Sequence, residues 1–275
     1  MLAACMVHAF VGLVACLAHA GRRLAASIEH ACMRGALITV AAQKGGVGKT
    51  TIAYELASAL SATLVDLDFH GGGATSMWGF DPRSAVRAPL LDALEHGTVP
   101  RPKHRPNRAD LVPSHPDLSA ARFDADDIAD ALLSWSEAWG PTPIIIDTHP
   151  GDHWTTNGAL QVADLVVVPV PPGRRETSAL EEMLHDHRDF QILLVPNMVP
   201  PVAREWWIDK LEAFCELPNV HLAPPISEHR WLRHRAITTP VTRQPHAGQR
   251  VLRAAEQLRA VAATAAQLCQ TPIAA

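Results

Sequence analysis

The sequence predicts an α/β fold, a single domain with helices on both faces of a mainly parallel, twisted sheet. Apolar, β-branched runs of strand length recur along the 275 residues without in/out alternation, the pattern of strands buried on both faces. Segments of helical spacing separate these runs, so successive strands can be joined by crossovers and lie parallel. With 48% of residues hydrophobic and 19% charged, the chain can fill one large core. Neither an internal repeat nor a long linker divides it.

The first strand is "ALITVAA", residues 36–42, and the loop after it carries the clearest chemistry. "KGGVGKTT" (44–51) meets the phosphate-loop pattern G-x-x-x-x-G-K-[ST] except at its opening position, and adds a second lysine, Lys44, at the mouth of the loop. Glycines 45, 46 and 48 free the backbone to curl, so that the N–H groups of Gly45, Gly46, Val47 and Gly48 can point at phosphate oxygens. In "KTTIAYELASAL", Ile52, Leu56 and Leu60 recur every four residues, giving a helix one apolar stripe. The N-terminus of that helix favours the same negative charge. Strand, loop and helix together predict a P-loop nucleotide site. In it Lys49 reaches the β/γ-phosphates, Thr50 ligates Mg²⁺ and Thr51 lies near the α-phosphate.

Next comes a strand from Thr63 to Val65 that ends in Asp66-x-Asp68 and a glycine-rich turn. Carboxylates at this edge of a parallel sheet stand where such folds place their chemistry. They can hold the Mg²⁺ shell and orient a water, or else cap the helix that follows. Residues 81–143 are less regular. "RAPLLDALEHG" and "DDIADALLSWSEAW" predict helices, joined by a Pro-rich connection with a short strand near Asp110 to Val112. "PTPIIIDTHPG" then places three isoleucines in a buried strand and Asp147 at its end, where a carboxylate can bind Mg²⁺ through water. Two further strands follow, at Leu165 to Val170 and Gln191 to Val195. Asn197, just past the second, is either a turn residue or an amide able to pair with an adenine edge.

"KGGVGKTT" resembles the deviant Walker A motif of the ParA/MinD ATPases, where the early lysine is the signature. "DLDFHGGGAT" is similar to the second motif of that family, D-x-D-P-Q-G-N-x-T, and "DTHP" to its D-x-P-P Walker B stretch. The resemblance is to the ParA type, in the short form without an N-terminal helix-turn-helix. It implies a homodimer that sandwiches two ATP molecules, with Lys44 of each subunit reaching the phosphates of the other. It also implies that Lys44, Lys49 and Asp68 are catalytic, Asp68 by positioning water. Asp66 and Asp147 would serve the Mg²⁺ with Thr50, and Asn197 would contact adenine. Further implications are slow hydrolysis without a ParB-like partner protein, non-specific DNA binding by the ATP-bound dimer, and a cytoplasmic, nucleoid-associated location. The sequence departs from the pattern at Phe69, His70, Gly73 and His149. The alternative within the same family is a MinD-like, membrane-associated positioning ATPase.

Net charge is −4, which carries no global nucleic-acid signature. From His229 onward, however, seven arginines stand against one acid, Glu256, a net of +6. Arg230, Arg233, Arg235, Arg243 and Arg250 are the expected phosphate contacts of a sequence-independent DNA surface, the alternative being a solvated helix face. Five cysteines without C-x-x-C spacing suggest neither a zinc site nor a disulfide framework. The fifteen histidines look scattered, and no metal site is expected from them. His149 could make its turn sensitive to pH. Residues 1–32 form an apolar extension, read as a mis-called start or dispensable segment, with a membrane helix as the alternative; 33–275 are the ATPase domain. The alanine-rich tail, with Leu252, Ala255, Leu258, Ala262 and Ala265 on one side, is expected to dock on the body rather than on a membrane.

Overall fold

Among the described residues, seven strands make one parallel sheet: β1 (Leu37–Val40), β2 (Thr63–Asp66), β3 (Asp110–Val112), β4 (Ile144–Asp147), β5 (Leu165–Val170), β6 (Ile192–Pro196) and β7 (Val220–Leu222). They lie in the order β3-β2-β4-β1-β5-β6-β7. This is a computed structural model, and it describes residues 34–70, 73–81, 89–187, 189–234, 239–244 and 248–270. Every residue of β1, β2, β4, β5 and β6 is buried, as their unbroken apolar runs require. Of these strands only β7, too short and polar to read as one in "NVHLA", was not evident from the sequence. β6 runs one residue later at each end than expected.

Alternate residues of the strands face two helical layers. Ile38, Val40, Leu64, Ile145 and Val167 pack against α1 (Lys49–Ala59) and the C-terminal α8 (Gln249–Gln270). On the opposite face, Leu37, Val65, Ile144 and Ile146 meet α3 (Pro89–His96), α4 (Ala125–Ala138) and α5 (Trp154–Gln161). Val166, Val168 and Leu194 meet α6 (Arg174–Asp186) and α7 (Glu205–Phe214) on that side. A short helix, α2 (Ala74–Trp78), follows β2. Asp124 and Asp127 close a reciprocal capping box on α4, which fixes where that helix begins. Pro169 sits inside a central strand without breaking the ladder. The register of β5 with β1 ends at Val167, and Val166 donates to the β6 side, so the nitrogen of Pro169 faces the β1 side beyond its last pair.

The tail docks as the sequence led us to expect. Ala255, Leu258, Ala262 and Ala265 are buried, joined by Ala254 and Val261, while Leu252 is half-buried. A buried carboxylate, Glu55 of α1, accepts hydrogen bonds from the N–H groups of Val241 and Thr242 and from the Thr242 hydroxyl, at 2.8–3.0 Å. Small alanines allow close helix approach there, and the Glu55 clamp fixes the turn that leads into α8. Residues 1–32 lie outside the described residues. Among those described, no helix is long and apolar enough to cross a membrane.

Candidate nucleotide site

β1 is flanked by β4 and β5, so the chain leaves the middle of the sheet in one direction and returns to cross to the other side. The carboxyl edge of β1 is therefore the topological switch point, where open α/β sheets bind ligands. Residues 41–48 curl out of this point. Gly46 and Gly48 have φ of +79° and +98°, a region that L side chains rarely adopt. At Gly48 a Cβ would also stand 2.4 Å from Nδ2 of Asn197, so both conformation and space demand glycine. Asn197, 7% exposed at the end of β6, donates from Nδ2 to the Val47 carbonyl at 2.8 Å and braces the loop from beneath. Gly48, Thr51, Asn197, Met198, Leu232 and Leu258 line a slot beside the loop and α1.

The two lysines diverge. Lys49 is 6% exposed at the start of α1, with its ammonium 3.4 Å from the Lys44 carbonyl and within the field of Asp147 and Asp68. Burial lowers its pKa, and the two carboxylates oppose that shift by favouring the charged form. Lys44 points elsewhere: its Nζ donates to the carbonyl of Arg175, in the first turn of α6, at 2.9 Å.

Asp147 and Asp66 are register partners on adjacent strands, both fully buried. Burial raises the pKa of Asp147 well above its ordinary value, reinforced by the nearby Asp66, while the Thr50 hydroxyl pulls the other way. Neither oxygen of Asp147 makes a hydrogen bond of ordinary geometry. A buried carboxylate left so beside a threonine hydroxyl is a pair of hard-oxygen donors that fits Mg²⁺.

Asp66 is different, because hydrogen bonds within the fold reach both of its oxygens. Its Oδ2 accepts from the Thr75 N–H and hydroxyl, both at 2.6 Å, and its Oδ1 from the Asp68 N–H at 3.0 Å. Burial pushes its pKa up to about 6 against the pull of these hydrogen bonds. Both oxygens are thus engaged in holding the first turn of α2 and the Asp68 backbone, the capping role that the sequence left open. Gly73 belongs to the same device, since a Cβ there would come within 3.0 Å of both Asp66 oxygens.

Asp68 is half-buried, and its Oδ1 accepts from the His70 N–H at 3.1 Å and lies 3.1 Å from Nδ1 of His149. This is a correction to the sequence reading. The histidines that looked scattered in the sequence converge, with His70, His149 and His153 all within 5 Å of the Phe69 ring, centroid to centroid. No local spacing could have signalled it, because His70 follows β2 while His149 and His153 follow β4. Burial and the two neighbouring imidazoles lower the pKa of His153, whose Nδ1 caps α5 at Thr155.

The basic C-terminal segment is partly engaged within the fold. Arg243 donates to the Ser58 carbonyl at 2.8 and 3.1 Å, stabilising the C-terminal end of α1, and Arg259 donates to the Thr242 carbonyl. Arg243 is exposed as well, but its Nε and one terminal nitrogen are committed to that helix end. Arg230, Arg250 and Arg253 are exposed, with Arg250 over the Trp231 ring. Arg235 and the side chain of Arg233 lie outside the described residues.

Residues 35–198, more than half of the chain and inclusive of every nucleotide-site candidate from Lys44 to Asn197, match a family model described as AAA domain. The chain belongs to the ParA/MinD-type P-loop ATPases. It is 36% identical over 138 residues to the chromosome-partitioning ATPase Soj of Thermus thermophilus, covering 48% of this chain and 53% of that protein. The chain spans about half the length of the curated relatives it matches. Among solved structures, this ParA/MinD-type fold superposes on a plasmid partition protein of Borrelia burgdorferi bound to AMPPNP (TM-score 0.64, 20% identity, 84% of this chain and 99% of that one). It also superposes on cobyrinic acid a,c-diamide synthase of Mycobacterium smegmatis, solved with an ATP analog and magnesium (TM-score 0.66, 21% identity, 86% and 96%). At these identities the likeness is one of fold. The basic stretch beyond residue 198 lies outside the matched family region.

Proposed function

We propose that this protein is an ATP-dependent, dimerising ATPase switch of the ParA type, acting in the partition of DNA. The observation that carries this reading is the buried Asp147, without a hydrogen bond of ordinary geometry, beside Lys49 and Thr50 at the switch point. The loop amides and Lys49 hold the phosphates of ATP, Thr50 and Asp147 hold Mg²⁺, and the slot beside Asn197 takes the base. Bound Mg²⁺ would supply charge neutralisation between the outer phosphates. With Oδ1 of Asp68 held by its neighbours, Oδ2 is the oxygen left to orient the attacking water. Asp66 positions Asp68 rather than binding metal, because its hydrogen bond fixes the Asp68 N–H. The ammonium of Lys44, directed away from its own loop, is assigned to the phosphates of a second subunit, as an arginine finger acts in trans. Residues 33–275 constitute the ATPase domain in this reading, with a ParB-like protein stimulating a slow intrinsic hydrolysis.

Arg230, Arg250 and Arg253 supply the exposed charge for sequence-independent DNA binding by the ATP-bound dimer. Substituting all three with alanine is expected to weaken DNA binding about tenfold. The salt dependence should flatten as well, by roughly one in slope for each phosphate no longer neutralised. Fluorescence anisotropy over a salt series with ATP and Mg²⁺ checks this. An unchanged slope removes the proposed surface, and DNA binding that ignores ATP removes the switch.

A further inference from the structure

We propose that Asp68, His70 and His149 form a binding site for a divalent transition metal such as Zn²⁺, at the edge of the nucleotide pocket. One ligand atom from each of Asp68, His70 and His149 lies within 4.8 Å of the other two. Nδ1 of His149 is 3.1 Å from Asp68 Oδ1 and 3.2 Å from Nδ1 of His70. A tetrahedral ion with bonds of about 2.0 Å to nitrogen and oxygen has ligands roughly 3.3 Å apart, so the two separations from His149 are already those of a coordination shell, and the third needs at most a small turn of the exposed His70 ring.

Hydrogen bonding alone serves the trio poorly. An ionised Asp68 only accepts, so a proton on Nδ1 of His149 has two acceptors in different directions and can be aimed fully at one. A metal ion takes the lone pairs of both imidazoles and of the carboxylate together. The rings are held for it: His149 stacks on Phe69 at 4.7 Å with planes 14° apart, and lies 4.5 Å from His70. His149 and Asp68 are 16% and 17% exposed, whereas His70 is exposed and gives an ion a route in. The donor set, two imidazoles and one carboxylate, selects Zn²⁺ or its transition-metal neighbours over Mg²⁺. His153 stays outside the shell because its Nδ1 caps α5. The consequence rests on the ATPase reading given above: an ion on Oδ1 withdraws negative charge from the whole Asp68 carboxylate, which makes Oδ2 a weaker acceptor for the water, so the ion acts as a brake on hydrolysis.

The test is titration of the full-length protein with Zn²⁺ by calorimetry and with Co²⁺ by visible absorption, in the absence of nucleotide and with Mg²⁺ in excess. One equivalent is expected to bind, with Co²⁺ showing the strong d–d bands of a low-coordinate, nitrogen-containing shell. In a His70→Gln/His149→Gln variant the affinity should fall at least about tenfold. No Zn²⁺ binding by the wild type, or equal affinity in the variant, overturns the site. Because no nucleotide is present, these results stand whether or not the chain hydrolyses ATP. Stoichiometric Zn²⁺ should then slow turnover in the wild type and not in the variant; equal inhibition of both, or none, overturns the brake.

Discussion

Replacing Lys49 with alanine is expected to abolish nucleotide binding and turnover together. Lys49 is buried at the N-terminus of α1, so its ammonium cannot be replaced by solvent cations, and the charge-assisted bonds to phosphate proposed for it would be made in a low-dielectric pocket. Loss of one or two such bonds costs on the order of 3 kcal/mol, about a hundredfold in affinity. The substitution also leaves Asp147 and Asp68 without the cation that now faces them, which raises mutual repulsion at the metal position. Calorimetry with ATP and Mg²⁺ measures the loss. Retention of wild-type affinity in Lys49→Ala would mean that the loop does not bind the outer phosphates.

Asp68→Ala should behave in the opposite way, keeping ATP and losing chemistry. Asp68 contacts neither the loop nor Asp147 in any hydrogen bond found among the described residues, and its Oδ1 is held by His70 and His149. Removing the carboxylate leaves the phosphate loop and the Thr50–Asp147 pair in place. Loss of the group proposed to orient the water should lower kcat by about 10²- to 10⁴-fold with little change in nucleotide affinity. A protein trapped with uncleaved ATP, scored by quench and chromatography of the bound nucleotide, is the expected state. Unimpaired turnover would transfer the role to another residue.

The parts of the site that could be read in the sequence are those encoded by a few adjacent residues. The glycines of 45–48 declare a curled loop, and the runs before Asp66 and Asp147 declare buried strands whose carboxyl ends share one edge of the sheet. What could not be read depends on contacts between distant segments. The strand-end position of Asp66 could be read, but not the hydrogen bonds that Thr75 and the Asp68 N–H make to its two oxygens. The histidine cluster needs β2 and β4 to be neighbours, which spacing along the chain does not express. β7 is three residues of mixed polarity, held by pairing to β6 rather than by its own pattern. Arg243, one basic residue among seven by sequence, turns out to serve the end of a helix nearly two hundred residues earlier.

In the proposed switch, ATP completes the site only when two subunits meet, with Lys44 crossing between them. Sedimentation velocity on the wild type and on Lys44→Ala, each with a non-hydrolysable ATP analog and Mg²⁺, tests it most directly. The wild type is expected at twice the subunit mass, and Lys44→Ala at a single-subunit mass with nucleotide still bound. A wild type that stays single when saturated with nucleotide, or a Lys44→Ala protein that pairs as readily, would contradict it.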